Sequence, residues 1–280
     1  MGYLQKARKA APQAPILTIV GFPKVGKSTL GGLFPSPVFI QAENAETIFE
    51  QWDDDMKPLL LPQIPHPNYN KGVRPSEVII AQLRELATED HNYKTVVIDS
   101  ITTAHALFES EVVEFYRPTG AEPVSNIGEA EGGFGKGFLA VAGIHARIRS
   151  ACEYLRNKGI SVVFLAHTGM DKVKNRPDVE SYATWSIAMH EASRRVYIAT
   201  SDAVLYLRSR DFVTGSETDR KGRVTKLGKI RSTGERYLVT SSEGTVGFVD
   251  AGNRYRMPPE IEVEEGENPI LQYIPFYTKG

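Results

Sequence analysis

Residues 21–29, Gly21-Phe22-Pro23-Lys24-Val25-Gly26-Lys27-Ser28-Thr29, carry the spacing G-x-x-x-x-G-K-[ST] of a phosphate-binding loop. A loop of this kind winds so that successive backbone N–H groups point inward at phosphate oxygens, and the helix that follows adds its positive dipole end. Lys27 would then reach the β- and γ-phosphates, and the Ser28 hydroxyl would ligate Mg²⁺. ATP and Mg²⁺ are the cofactors this pattern predicts. Three other polar residues stand where they can complete the chemistry. Asp99, closing the run Tyr93-Lys94-Thr95-Val96-Val97-Ile98, would hold the metal through water, with Ser100 beside it. Glu43, closing Pro37-Val38-Phe39-Ile40-Gln41-Ala42, can orient and deprotonate an attacking water. His167, closing Ile160-Ser161-Val162-Val163-Phe164-Leu165-Ala166, can touch the γ-phosphate. Taken singly, Glu43 and His167 also read as polar strand ends facing water; in this order with the loop, they read as catalytic partners of Lys27.

Those side chains can meet only if the runs before them are neighbouring buried strands. Ile16-Leu17-Thr18-Ile19-Val20 is an apolar, β-prone lead-in to the loop, and Lys27 to Leu33 can open a helix. The spacing of Val78, Ile79, Leu83 and Leu86 predicts a helix from about Pro75 to Ala87, and Thr103 to Phe115 reads as another, with His105 a packing or surface residue. Ala203–Leu207, Gly222–Ile230 and Tyr237–Thr240 alternate as strands separated by turn residues. The expected fold class is therefore α/β, with a mainly parallel central sheet flanked by helices and an antiparallel C-terminal edge. Asp53-Asp54-Asp55 has no apolar strand beneath it and reads as a solvated loop rather than a metal cluster. The single cysteine, Cys152, shares a helical face with Val141, Ile144, Ile148 and Leu155 and is expected in the core.

Val38-Phe39-Ile40-Gln41-Ala42-Glu43 resembles the segment of RecA-type recombinases that carries their catalytic glutamate, and Val96-Val97-Ile98-Asp99-Ser100-Ile101 resembles their Walker B strand. The layout over residues 14–260 is similar to short phage-encoded RecA-like ATPases, including Sak-type single-strand annealing recombinases. This resemblance implies a RecA-like P-loop ATPase that assembles on single-stranded DNA, with His167 as the switch between nucleotide and DNA loops. It also implies DNA-holding loops after the third and fourth strands. The first contains Phe134 and Lys136 within Gly132-Gly133-Phe134-Gly135-Lys136-Gly137, where an aromatic face can stack on a base and a lysine can meet phosphate; it reads equally as a flexible linker before a helix from Leu139. The second, Gly169 to Glu191, carries Lys172, Lys174, Arg176 and Trp185. Relatives that form rings reach into the neighbouring subunit with a Lys-x-Arg pair. Here Arg254 keeps the arginine position while Gly252 stands at the lysine position, so Arg254 is either a finger acting in trans or a surface salt-bridge partner.

A chain of 280 residues with 41% hydrophobic content can bury one α/β core. The expected organisation is a basic N-terminal tail over 1–13, the ATPase core over 14–260 and an acidic, then aromatic, tail over 261–280. That tail could dock on a neighbouring subunit or a replication partner, or pack on its own domain. Net charge is −1, which argues against a generally nucleic-acid-coating surface. Basic residues are nevertheless concentrated between Arg194 and Arg236, as a phosphate-backbone band or a solvated hairpin. No run reaches membrane-spanning length and no signal-peptide core is evident, so a cytoplasmic protein is expected; the resemblance implies a homo-oligomer, as a ring or a filament. Its partners would be single-stranded DNA and a single-strand-binding or replication protein. The competing reading is a hexameric helicase-like motor or an ATP-switched helicase loader.

Overall fold

The computed structural model describes residues 2–7, 9–116, 122–173, 182–215, 217–218, 224–226, 229–242 and 247–278. The strands are β1 (Ile16–Gly21), β2 (Pro37–Gln41), β3 (Leu59–Leu60), β4 (Thr95–Asp99), β5 (Ser161–Val173), β6 (Tyr182–Ile187), β7 (Ala203–Thr214), β8 (Glu217–Thr218), β9 (Val224–Lys226), β10 (Lys229–Val239), β11 (Gly252–Asn253) and β12 (Glu260–Val263). The α-helices are α1 (Lys27–Gly32), α2 (Glu46–Phe49), α3 (Pro75–Thr88), α4 (Ile101–Phe115), α5 (Lys136–Asn157), α6 (Glu191–Thr200) and α7 (Pro275–Thr278).

β1 is the pivot of the sheet. All six of its residues are buried, as a strand covered on both faces requires. The main sheet runs β12-β10-β7-β1-β5-β4-β2-β3; it is parallel from β7 to β3 and antiparallel at β10 and β12. The chain leaves β1 through α1 toward β2 and later returns through α6 to β7 on β1's other side. Strand order therefore reverses at β1, and in open α/β sheets ligands bind outside the carboxyl ends of the strands at such a reversal. The period of two sends Ile16 and Val20 into one apolar layer with the residues of α3 to α6, and Leu17 and Ile19 into another with Leu30 and Phe34 beside α1. Gly31 lets α1 sit against the sheet, because a Cβ there would meet Val97, Phe39 and Leu165 at 3.2–3.4 Å. The expected face of α5 is buried in full. Cys152 is 0% exposed, and burial pushes its thiol up to about 12. Asp53, Asp54 and Asp55 are exposed, and among the described residues no acidic, histidine or cysteine cluster could hold a metal ion.

Several expectations are corrected by packing. α4 starts at Ile101, two residues early, because Ser100 caps it by accepting from the Thr103 N–H. α5 starts at Lys136 instead of Leu139, and the segment before it is a defined turn held by Gly133 N–H to Ala130 O and Lys136 N–H to Gly133 O. The two strands expected at 222–230 and 237–240 are replaced by the short β9 and the single long β10, with an irregularity between Ser232 and Arg236 where a turn was expected. A bulge of this kind adds residues without ending the strand. The core also continues past 260, since that boundary falls on β12. Ile261, Val263, Ile270 and Ile274 join the α1-side layer, and the Tyr277 hydroxyl donates to Ser161 Oγ at 2.7 Å. The C-terminal segment thus packs on its own domain. At the other end, Ala14 is the first buried residue among those described, and Tyr3 and Leu4 stand exposed. Among the described residues, no helix is long and apolar enough to cross a membrane.

His105 lies buried, its ring stacked on that of buried His145, which bonds Tyr197 Oη at 2.7 Å. Burial holds His145 well below the usual histidine range. On the same side of the sheet, Glu111 of α4 satisfies the start of α3. Ser76 donates to it from its N–H at 2.8 Å and from its hydroxyl at 2.6 Å, and Glu111 is fully buried. Glu111→Ala should therefore cost about 2–3 kcal/mol by urea denaturation, because it strands two buried donors. Glu85→Ala, at an exposed position on α3, should change stability by less than about 0.5 kcal/mol. Equal effects would remove the capping role of Glu111.

Candidate functional site

Residues 22–26 join Gly21, the last residue of β1, to Lys27, the first of α1. Glycine is required at both ends of this turn. A Cβ on Gly21 would lie 2.6 Å from the Leu207 carbonyl oxygen, and Gly26 has φ of 100°. No side chain caps α1, so its first N–H groups have no side-chain acceptor. Lys27 is 5% exposed, and its ammonium donates to the carbonyls of Gly21 at 3.1 Å and Phe22 at 3.0 Å. These features fit a nucleoside triphosphate: open amides for the phosphates, and a cation held in reserve by weak carbonyl contacts. Ser28 Oγ donates to Asp99 Oδ2 at 2.5 Å. A hydroxyl and a carboxylate side by side are hard oxygen donors suited to Mg²⁺.

Strand register brings the expected catalytic side chains together. Gly21 of β1 is level with His167 of β5, and Gln41 of β2 is level with Asp99 of β4. Past the end of β2, the N–H groups of Ala42 and Glu43 both donate to the Asp99 carbonyl, at 2.7 and 3.0 Å, which turns Glu43 back over the site. Its Oε1 accepts from three donors: the Ser100 hydroxyl, the Thr103 hydroxyl and His167 Nε2, the last at 2.9 Å. His167 Nδ1 lies 3.2 Å from Lys27 Nζ. The ammonium can only donate, so the neutral ring with its proton on Nε2 satisfies both contacts, and Lys27, His167 and Glu43 form one continuous line. Glu43 Oε2 has no hydrogen-bond partner among the described residues and is available to a water.

Charge and burial oppose each other across this line. Burial lowers the Lys27 ammonium from its ordinary value, against the raising influence of Asp99 and Glu43. Burial likewise raises Asp99, reinforced by Glu43 and opposed by the Ser28 bond and Lys27. Glu43 goes the other way. Its bond from His167, with help from Ser100 and Thr103, outweighs burial and lowers it to about 2. Glu43 is thus an ionised acceptor that holds water well, but a weak base while His167 stays bound to it.

Thr102, Thr103 and Arg236 are site residues that sequence reasoning missed. Thr102 Oγ1 accepts from the His167 N–H at 3.1 Å. The hydroxyl run Ser100-Ile101-Thr102-Thr103 at a helix start was the available signal for the two threonines. Arg236, counted only as part of a basic band, lays its guanidinium against Gly26; nothing local marks it. Trp185 of β6, expected in a DNA loop, packs edge-on to Phe22 of the phosphate loop, ring centres 4.9 Å apart. β5 and β6 form an antiparallel ribbon beyond the main sheet, from Thr168 opposite Ile187 to Val173 opposite Tyr182. The backbone of Lys172 lies in that ribbon, whereas Lys174 and Arg176 lie outside the described residues. Phe134 is fully exposed with φ of 54°, two residues before Lys136, where α5 opens after its N-cap Gly135. Arg254 is not brought to this chain's phosphate loop. Its N–H donates to the Asp202 carbonyl and its guanidinium to Asp202 Oδ1 at 3.2 Å, next to Ala203, which is level with Leu17. That is the amino end of the strands, roughly 13 Å along β1 from Gly21.

A family model described as AAA domain matches residues 13–255. No curated protein matches the chain.

The environment of Glu43 generates a pH prediction. A carboxylate lowered from the usual 4.5 to about 2 contributes stability that is fully present above the unfolded value and is lost as pH falls toward the folded one. Denaturation of wild type and Glu43→Gln should therefore differ by a constant amount from neutral pH down to about 5, with the difference shrinking below that. A difference that grows on acidification would contradict the hydrogen-bonded carboxylate.

Proposed function

We propose that this chain, which belongs to the AAA domain family of P-loop ATPases, couples Mg²⁺-dependent ATP hydrolysis to the holding of single-stranded DNA, as an oligomeric annealing or recombination protein of the RecA-like, Sak type. The observation that carries this reading is the line from Lys27 through His167 to Glu43, because His167 lies on β5, the same strand that runs on into the β5–β6 ribbon. Lys27 and the loop amides would hold the phosphates, and Ser28 with Asp99 would hold Mg²⁺, which neutralises charge between the β- and γ-oxygens when bound. Phosphoryl transfer asks the protein mainly for positioning and charge stabilisation, and a carboxylate anchored through Oε1 with Oε2 open to water suits that task.

The same line supports a switch. Lys27 cannot serve the phosphates and keep its present contact with His167, so nucleotide binding alters the partner of the ring. Releasing His167 from Glu43 removes the largest influence lowering that carboxylate and restores basicity to it. His167 and Trp185 both connect the phosphate loop to the ribbon, and so link nucleotide occupancy to a surface beyond the carboxyl edge of the sheet. DNA contacts are assigned to that ribbon and to the turn bearing Phe134 and Lys136, whose exposed ring can stack on an unpaired base. Arg254, with its side chain 64% exposed despite its bond to Asp202, remains the candidate to reach a neighbouring subunit's site.

Two experiments test this. Lys27→Ala should lose nucleotide binding, whereas Glu43→Gln should bind ATP with near wild-type affinity and hydrolyse it roughly a hundredfold or more slowly, measured by calorimetry and phosphate release. Equal loss of binding in both would make Glu43 structural. In fluorescence anisotropy with ATP present, single-stranded DNA should bind with an affinity that drops steeply with salt. Phe134→Ala should weaken it about tenfold with ATP affinity unchanged. Absence of DNA binding at low salt would transfer the weight to a helicase-loading role.

A further inference from the structure

Arg236 follows the β10 bulge between Ser232 and Arg236, in which Gly234 has φ of 84°. Bulges re-aim the side chains next to them. Arg236 lies two residues before Leu238 and so shares its face, and Leu238 is buried with Leu17, Ile19 and Leu30 in the α1-side layer. Its side chain accordingly reaches the phosphate loop. Nη1 sits 2.5 Å from the point a Cβ on Gly26 would occupy, with Cζ at 3.7 Å. The space beside Gly26 is thus already filled by a guanidinium.

Among the described residues, this guanidinium has no carboxylate to answer it. Arg236 is level with Ser209 on β7 and Val263 on β12, and it makes no ion pair or side-chain hydrogen bond among the described residues. Its neighbours differ: Arg208 faces Asp211, and Arg210 faces Glu235 and Glu260. A partly buried cation pressed against a loop that already carries Lys24 and Lys27 is unfavourable unless an anion joins them. The backbone at Gly26 belongs to the part of such a loop that cradles α- and β-phosphates, and a guanidinium is suited to bidentate donation to phosphate oxygens.

We propose that Arg236 is a nucleotide ligand within its own subunit, donating to the α- and β-phosphate oxygens of ATP and ADP alike. The assignment rests on reading residues 21–29 as the nucleotide site. It gives the β7–β10 hairpin a direct hold on the nucleotide, on the side of β1 away from Glu43 and Asp99.

Calorimetric titration of the full chain with ADP and with a non-hydrolysable ATP analogue tests it, using wild type, Arg236→Ala, Arg236→Lys and Lys27→Ala. Arg236→Ala should weaken both nucleotides roughly ten- to a hundredfold while melting like wild type without nucleotide. Arg236→Lys should recover part of the loss, since it restores charge without the fork. Should the alanine variant unfold, the lysine variant decides, and a wild-type ADP affinity in it overturns the proposal. Normal ADP binding by Arg236→Ala, with binding lost in Lys27→Ala, overturns the role of Arg236 and leaves the loop reading intact. Loss confined to the ATP analogue overturns the α,β assignment. A wild-type chain that binds neither nucleotide removes the loop reading, and this proposal with it.

Discussion

Everything at the site depends on the parallel register of four strands. β1, β5, β4 and β2 are paired so that Gly21, His167, Asp99 and Gln41 reach the same edge of the sheet. Hydrogen-bond ladders allow no gradual sliding, and a slip of one residue would exchange the two faces of a strand. β1 is buried on both faces, so such a slip would also exchange two well-packed apolar layers. Core packing therefore sets the distances of the polar cluster.

Given that register, the polar cluster has to manage buried charge. Lys27 and Asp99 are both pushed toward neutrality by burial, and each opposes that shift in the other, the Ser28 bond opposing it further at Asp99. Glu43 escapes the same tendency by collecting three donors on one oxygen. The arrangement leaves two polar groups engaged in ways a ligand can replace, the Lys27 ammonium on backbone carbonyls and the His167 ring between Lys27 and Glu43. Sites with exchangeable partners of this kind suit a protein that must differ between loaded and empty forms.

The far half of the sheet contributes in another manner. β7 and β10 pair over most of their length and carry arginines toward the loop from sequence positions some two hundred residues away. Beside the β10 bulge one arginine is aimed at Gly26, while others are tied to carboxylates on the hairpin. The amino end of the same strands is closed by Asp202, which accepts from the Ile16 N–H, Arg156 and Arg254. Asp202 and its partners thus lie at the end of the strands opposite the candidate site.

Local patterns in the sequence were sufficient for the phosphate loop, the buried strands before Glu43, Asp99 and His167, the α3 periodicity and the core position of Cys152, because each is decided by residues within a few turns of one another. The α/β class follows from the same runs. Where an element begins or ends depended on distant partners. Ser100 capping moved the start of α4, the bulge kept β10 whole, and Ile270 and Ile274 drew the C-terminal segment onto the sheet. Only the tertiary structure decided that His167 bridges Lys27 and Glu43, that Arg254 lies away from its own loop, and that Arg236 rests on Gly26. Those contacts join residues roughly 50 to 210 positions apart, and strand order and register, which no local propensity encodes, determine which side chains meet.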